Sequence, residues 1–277
     1  MYPLLTGKLK IEQLTVAIAN LPPKLSGIKL VQLTDFHYDG LRLSKQLLKE
    51  AIAVTNQAKP DLIVLTGDYV THDPTPIHQL TVYLKQLYSK AGVYGVLGNH
   101  DHYYSYSKKT VTDALNEIGI QVLCNQIAYP MGVELALIGL GDLKSKQFQP
   151  HKVMNTLDEK IPRIILSHNP DTAEILQQWR VDLQLSGHTH GGQIVLPKLG
   201  VLPSLLPSIR RHIPQPFHRW IPFFSNCNLI YKHWNWASGL HQVGNNYLYV
   251  NRGLGTYLPG RWNCPPEVTI ITLKSKV

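Results

Sequence analysis

Apolar residues along this chain gather into short runs, and stretches with helical spacing separate many of them. Leu9 to Ile18 alternates loosely between apolar and polar positions, as an edge strand with one packed face does. Continuous runs at Ile28–Leu33, Leu62–Leu65 and Val93–Leu97 predict buried strands, and shorter ones are expected at Gln121–Leu123 and Glu134–Leu140. Ile164–Leu166, Val181–Leu185, Tyr247–Val250 and Val268–Leu273 complete the set. Between the first two buried runs, Ser44 is placed to cap a helix whose apolar face is Leu47, Leu48, Ala51 and Ile52. Further helices are predicted around residues 76–89, 107–118 and 171–179. Strands that alternate with helices argue an α/β protein with substantial β content.

Composition narrows the class. Hydrophobic residues make up 44% of the 277 and charged residues 16%, which excludes disorder, collagen and coiled coil. Lys and Arg number 27 against 18 Asp and Glu, a formal charge of +9 that predicts an anionic partner: phosphate, nucleic acid or an acidic membrane surface. Cys124, Cys227 and Cys264 are scattered and odd in number, so neither a disulfide framework nor a thiolate zinc site is expected, and a reducing cytoplasm fits. Lys8, Lys10 and Glu12 near the start do not form a signal peptide. The uncharged stretch Leu199–Ile209 is broken by Pro203 and Pro207, too short for a spanning helix, which needs about 20 apolar residues.

The charge is uneven. Residues 183–266 contain no carboxylate side chain but hold Lys198, Arg210, Arg211, Arg219, Lys232, Arg252 and Arg261, with four of the five tryptophans. This segment is expected to present a functional surface.

Five apolar runs each lead directly into polar residues of one kind: Thr34-Asp35-Phe36-His37, Thr66-Gly67-Asp68, Gly98-Asn99-His100-Asp101, Ser167-His168-Asn169 and Ser186-Gly187-His188-Thr189-His190. A lone buried histidine is usually a satisfied core residue and a lone Gly-Asp a turn. Five such clusters, all at strand C-terminal ends that converge on one sheet edge, imply a single assembled centre. Imidazole and carboxylate without thiolate suit Zn²⁺, Mn²⁺ or Fe. The strand period of two is expected to send Asp35 and His37 to one side, and likewise His188 and His190.

The series D-x-H, G-D, G-N-H-D, H, G-H-x-H, from residue 28 to about 195, resembles the calcineurin-like metallophosphoesterases. The resemblance implies a four-layer α/β-β/α sandwich with mixed sheets, and a dinuclear site. Carried over by motif, Asp35, His37 and His190 would hold one metal, and Asn99, His168 and His188 the other, with Asp68 bridging. His100 would be the leaving-group acid or transition-state stabiliser, oriented by Asp101. Asp101 also reads as an N-cap for the following segment, and His102 as exposed or one layer back from the ions. Two carboxylates against two divalent ions leave a charge of about +2, or about +1 with a bridging hydroxide, which attracts a phosphate oxygen and activates water for in-line attack.

Within that family, Gly187–Gln193 with Asn251-Arg252-Gly253-Leu254-Gly255 and Pro265-Pro266-Glu267 resembles a bacterial branch that includes UDP-2,3-diacylglucosamine pyrophosphatases and other cell-envelope phosphoesterases. The expected function is hydrolysis of a phosphodiester or pyrophosphate bond in a UDP-sugar or lipid-linked substrate. A nuclease or nucleotide phosphodiesterase using the basic surface is the alternative, and a non-catalytic metal-binding protein a third. Arg252 and Arg261 are candidates for gripping a second phosphate, because guanidinium suits bidentate contacts, or else surface arginines stacked on Trp262 or Tyr257. One domain over 1–277 is expected, with a basic, aromatic-rich cap inserted at about 198–240. Lys198, Arg210, Arg211, Arg219 and Lys232 with Phe217, Trp220, Phe223, Phe224, Trp234 and Trp236 would rest the cap on an anionic membrane, grip an acyl chain or pack locally. Its prolines predict short helices and extended turns. Localisation would be cytoplasmic, at or near the inner membrane face, with no protein partner inferred.

Overall fold

A computed structural model describes residues 6–213 and 232–276. Strands β1 (Lys10–Ile18), β2 (Lys29–Leu33), β3 (Leu62–Leu65), β4 (Val93–Gly95), β5 (Ile120–Val122), β6 (Gln126–Ala128) and β7 (Ala136–Gly139) are followed by β8 (Arg163–Leu166), β9 (Leu183–Ser186), β10 (Val195–Leu196), β11 (Gly200–Val201), β12 (Gly239–Val243), β13 (Asn246–Val250) and β14 (Glu267–Ser275). The α-helices are α1 (Lys45–Gln57), α2 (Ile77–Leu84), α3 (Ser107–Glu117), α4 (His151–Met154), α5 (Thr172–Leu176) and α6 (Leu202–His212).

The strands form two six-stranded mixed sheets, ordered β1-β14-β2-β3-β4-β5 and β12-β13-β9-β8-β7-β6, and a small β10-β11 hairpin. Leu30, Leu62, Val64 and Tyr94 of the first sheet pack against Leu137, Ile164, Leu166, Leu183 and Leu185 of the second, which makes the inter-sheet core. The opposite faces are covered by helices. Leu48, Ile52, Leu80, Val111 and Leu115 lie on the first sheet, and Val153, Met154 and Leu176 on the second. The result is the expected four-layer α/β-β/α sandwich. β3, β8 and β9 are buried along their full length and β2 from Leu30 onward, which is why they read as mainly apolar runs rather than alternations.

Local sequence accounts for the details. Ser44 Oγ accepts the Leu47 N–H at 3.1 Å and opens α1, and Leu47, Leu48, Ala51 and Ile52 are its buried face. Such a cap is worth about 1 kcal/mol. Among the described residues β1 is an edge strand, paired in parallel with β14 alone. The side chain of Gln32 on β2 donates both to Thr66 Oγ1 and to the Ser186 carbonyl on β9, each at 2.9 Å, and so stitches the two sheets together beside the polar loops.

In the proposed cap, β11 and the eleven-residue α6 occupy the first half, and β11 pairs with β10 just before it. Pro203 stands in the first turn of α6, where its missing N–H breaks no helical bond. Within the cap, Lys232 Nζ pairs with Glu174 at 2.6 Å. Residues 214–231, with Phe217, Arg219, Trp220, Phe223, Phe224 and Cys227, and the side chain of Arg210, lie outside the described residues. Among the described residues no helix is long and apolar enough to cross a membrane.

Candidate metal centre

The loops that leave β2, β3, β4, β8 and β9 bring seven side chains together. Asp35, His37 and His190 form one group, and Asp68, His168 and His188 another, the ligand-capable atoms in each group lying within 4.8 Å of one another. All six are buried. His37 Nε2 is 3.4 Å from Asp68 Oδ2, and His168 Nε2 is 3.1 Å from the same oxygen, so Asp68 stands between the two groups. Among the described residues Asn99 Oδ1, which is buried, has no hydrogen-bond partner.

The backbone route to this arrangement differs from the expected pleat. Asp35, His37, Asp68, His188 and His190 all have positive φ, between 42° and 72°, and none lies in a strand. Left-handed conformations at L-residues cost energy and cluster at functional sites when the surroundings enforce them. Here the surroundings do. The Asp35 N–H donates to the Gly67 carbonyl at 2.9 Å, the His37 N–H to the Asp68 carbonyl at 3.0 Å, and the His188 N–H to both Asp35 carboxylate oxygens at 3.0 Å. Glycine is required where loops close on the carboxylates. A Cβ at Gly98 would lie 2.1 Å from Asp68 Oδ1, and one at Gly187 would lie 2.2 Å from Asp35 Oδ2.

Carbonyl oxygens orient the imidazoles. His168 Nδ1 is 2.7 Å from the Thr66 carbonyl and His190 Nδ1 is 3.2 Å from the Gly255 carbonyl. A carbonyl only accepts, so each Nδ1 carries the proton and Nε2 faces inward. His190 Nε2 lies 3.1 Å from His37 Nε2, and His168 Nε2 lies 3.2 Å from His188 Nδ1. Burial holds His37 well below the usual imidazole pKa and His190 down to about 3, so both are neutral donors. His168 also suffers burial, but the Asp68 charge outweighs it and pushes its pKa up to about 10. Facing ring nitrogens, two carboxylates and an orphaned amide oxygen together fit divalent cations.

His100 borders the same space. Its Nδ1 is 2.6 Å from the Thr71 carbonyl, its ring is edge-on to His37 at 4.8 Å, and its N–H donates to Asp68 Oδ1 at 2.9 Å. Thr71, not Asp101, therefore orients it. The buried Asp101 carboxylate accepts the N–H groups of Asp68 and Tyr69 at 2.9 Å, Val70 at 3.3 Å and Gly98 at 2.9 Å. It clamps the loop after β3 to the loop after β4, and it caps its own turn from inside rather than the segment that follows. Burial and the Asp68 charge push its pKa up to about 8, against the pull of the Gly98 and Val70 N–H groups.

The two arginines are committed elsewhere. Arg252 lies 2.6 Å from both Glu12 and Glu267, which ties β1 and β14 to the loop after β13. Arg261 donates to the carbonyls of Arg252 at 2.8 Å, Gly253 at 3.1 Å and Gly255 at 2.6 Å, and so braces that loop from within. Internal acceptors thus engage both guanidiniums, and among the described residues neither stacks on an aromatic ring. Arg42 does, at 4.5 Å from the Tyr257 ring centroid. Tyr257 is the residue that motif spacing does not reveal: its hydroxyl is 3.0 Å from His37 Nδ1.

Residues 28–192 match the family model for calcineurin-like phosphoesterases. The chain belongs to this family. It is an enzyme of the hydrolase kind that the family's phosphoesterases, phosphodiesterases and pyrophosphatases represent. It is 33% identical to the uncharacterised metallophosphoesterase YkuE of Bacillus subtilis over 267 residues, covering 94% of this chain and 84% of that one. Identity to the phosphodiesterase YaeI of Escherichia coli is 33% over 250 residues, 88% of this chain and 82% of that one. Identity to the UDP-2,3-diacylglucosamine pyrophosphatase LpxG of Chlamydia trachomatis is 29% over 306 residues, 91% of this chain and 86% of that one. Among solved structures, a dimetal phosphatase from Danio rerio aligns with a TM-score of 0.41 at 10% identity, over 84% of this chain and 90% of that one.

Proposed function

We propose that this phosphoesterase hydrolyses a phosphodiester or pyrophosphate bond in a lipid-linked or UDP-sugar substrate. Asp35, His37, His190 and Asn99, His168, His188 would hold two divalent ions of manganese, zinc or iron, bridged by Asp68. The observation that carries the substrate class is a cavity of about 650 Å³ that reaches Asp68, Asn99, His188 and His190 and is walled by Ile194, Leu202, Leu206, Trp234, Leu258 and Pro259. An apolar wall directly beside a polar reaction centre suits an acyl chain, each buried methylene contributing about 0.8 kcal/mol. The LpxG relative is named for a diacylated nucleotide sugar, and YaeI for a phosphodiester, so both the lipid and the bond type have precedent among similar chains.

The bound ions would supply a hydroxide nucleophile at neutral pH and neutralise charge on the phosphoryl oxygens. The chain's own part is positional. With Nδ1–H tied to the Thr71 carbonyl, His100 has Nε2 left to protonate the departing oxygen. The exposed Lys198, Arg211 and His212 around α6 would meet an anionic membrane that presents the lipid to the cavity mouth. On this view 198–240 is a cap on one catalytic domain spanning the chain, and the enzyme works at the inner membrane face.

The test is a substrate panel after Mn²⁺ or Zn²⁺ reconstitution: UDP-2,3-diacylglucosamine in mixed micelles, a soluble diester, phosphomonoesters, cyclic nucleotides and single-stranded DNA. Preference for the diacylated substrate over its deacylated form is expected. Equal rates on both would remove the lipid reading, and preferred cleavage of DNA would replace it with the nuclease reading.

A further inference from the structure

Asp39 follows His37 by two residues, and its carboxylate meets groups from more than one loop. Oδ1 accepts the N–H groups of Leu41 and Arg42, each at 2.9 Å, and so closes a turn through Gly40, whose φ is +81°. Oδ2 accepts the Thr71 hydroxyl at 3.0 Å and also the Arg42 Nη1–H. We propose that Asp39 is a positioning residue for the hydrolysis, one that holds the acid His100 through Thr71 and the metal-binding His37 through Arg42 and Tyr257. The proposal rests on the phosphoesterase function above and concerns how two imidazoles are held, not what they act on.

The Thr71 side is short. Thr71 is buried, and its carbonyl lies 2.6 Å from His100 Nδ1, the contact that leaves Nε2 for the departing oxygen. A hydroxyl that donates to a carboxylate makes a charge-assisted bond, roughly twice as strong as one between neutral groups. Asp39 therefore fixes the residue whose carbonyl aims the acid. A carboxylate that served only its own turn would need Oδ1 alone, whereas Oδ2 reaches across to the loop after β3.

The Arg42 side runs through an aromatic ring. The guanidinium stands over Tyr257 at 4.5 Å from the ring centroid, and the Arg42 carbonyl accepts the Thr256 N–H at 3.0 Å, so side chain and backbone hold the same segment. A cation over a ring face is drawn to its negative quadrupole. The held ring is edge-on to His37 at 5.0 Å and to His190 at 5.4 Å, and its hydroxyl is 3.0 Å from His37 Nδ1. The Asp39 carboxylate offsets the Arg42 charge, which fits the pair to hold Tyr257 in place and not to bind an anion. One carboxylate thus supports two imidazoles that arrive on different loops.

Mn²⁺ titration and steady-state kinetics on the intact chain test this, with one diester of a poor leaving group and one of p-nitrophenolate. Thr71→Val removes the hydroxyl and keeps the carbonyl. Its metal affinity should equal that of wild type, while kcat falls about tenfold on the poor leaving group and less on p-nitrophenolate. Arg42→Met keeps the stem and removes the guanidinium. Its metal affinity should fall about tenfold, and excess Mn²⁺ should restore kcat on both esters. Asp39→Asn retains an oxygen for the two turn N–H groups and should show both defects with KM little changed. Wild-type metal affinity and leaving-group dependence in Asp39→Asn would overturn the proposal. So would equal losses of kcat on both esters at saturating Mn²⁺, which mark a general disturbance of the fold. Should Asp39→Asn fail to fold, the other two variants decide, and the proposal falls if either behaves as wild type. A wild type that hydrolyses no phosphoester would instead sink the function proposed above, and metal titration of Arg42→Met would still judge the Tyr257 side.

Discussion

The Tyr257 hydroxyl and His37 Nδ1 lie 3.0 Å apart, across 220 residues of sequence. This contact fixes the outer edge of the His37 ring, as the Thr66 and Gly255 carbonyls fix His168 and His190. Burial raises the pKa of Tyr257, so the phenol stays protonated and able to serve either tautomer. Tyr257→Phe should lower metal affinity about 10- to 100-fold, the usual effect of losing a group that orients a ligand, and excess metal should restore activity. Metal titration with parallel activity measurement checks this; unchanged affinity would dissociate Tyr257 from the centre.

Asp68 is placed to serve both ligand groups, and His37 belongs chiefly to one. Asp68→Ala should leave the purified protein without either ion, whereas His37→Ala should retain about one per chain by elemental analysis. Two ions per chain in Asp68→Ala would refute the bridging role.

For His100, the expected signature is a dependence on leaving group. His100→Asn should retain metal and lower kcat about 10²- to 10⁴-fold on a poor leaving group, with a smaller loss on p-nitrophenolate esters. Equal losses on both would remove it from proton transfer.

Arg252 and Arg261 should report on stability instead of substrate. Removing one partner of a buried ion pair costs about 3–5 kcal/mol, and Arg252 with Glu267 is such a pair, their side chains 13% and 1% exposed. Arg252→Met should lower the denaturation midpoint accordingly while KM moves little. A large rise in KM at unchanged stability would return Arg252 to substrate binding.

A pH effect is expected away from the centre. Burial would raise the Asp61 pKa, but its bonds to Lys90 Nζ and the Lys29 N–H, both 2.7 Å, outweigh that and hold it below the usual value. A depressed carboxylate stabilises the fold above its unfolded pKa of about 4, and that stabilisation disappears as pH falls through the folded value. The stability difference between wild type and Asp61→Asn should thus be constant from pH 5 to 7 and shrink below pH 4. A difference that persists to pH 2 would contradict the linkage.

The five strand-to-loop junctions were legible because residue type and position coincide there: a buried parallel strand must be apolar, and a centre at its end must be polar. Edge strand β1 and the Ser44 cap were legible for similarly local reasons. The left-handed backbone at Asp35 and His37 was not, since hydrogen bonds from the neighbouring loop impose it and no local propensity favours it. Arg252 misled because its partner Glu12 is 240 residues away, and an acid-free segment in sequence need not be acid-free in space. Asp101 was misassigned for a related cause: its four donors include three on the loop after β3, which spacing within its own motif cannot show. Tyr257 carried no signal for the centre, because it reaches His37 only when separate segments meet.

The position of β14 governs when this enzyme can come into being. This strand, the last among the described residues, lies between β1 and β2, parallel to one and antiparallel to the other, and Glu267 on it anchors Arg252. During synthesis β1 therefore has no native neighbour to pair with until β14 has been made. Such distant pairings are slow and leave strand edges open meanwhile. The loop after β13 likewise lacks the anchor of Arg252 on Glu267 until β14 is in place, so the last bracing of the loop beside the reaction centre waits on a strand of the other sheet.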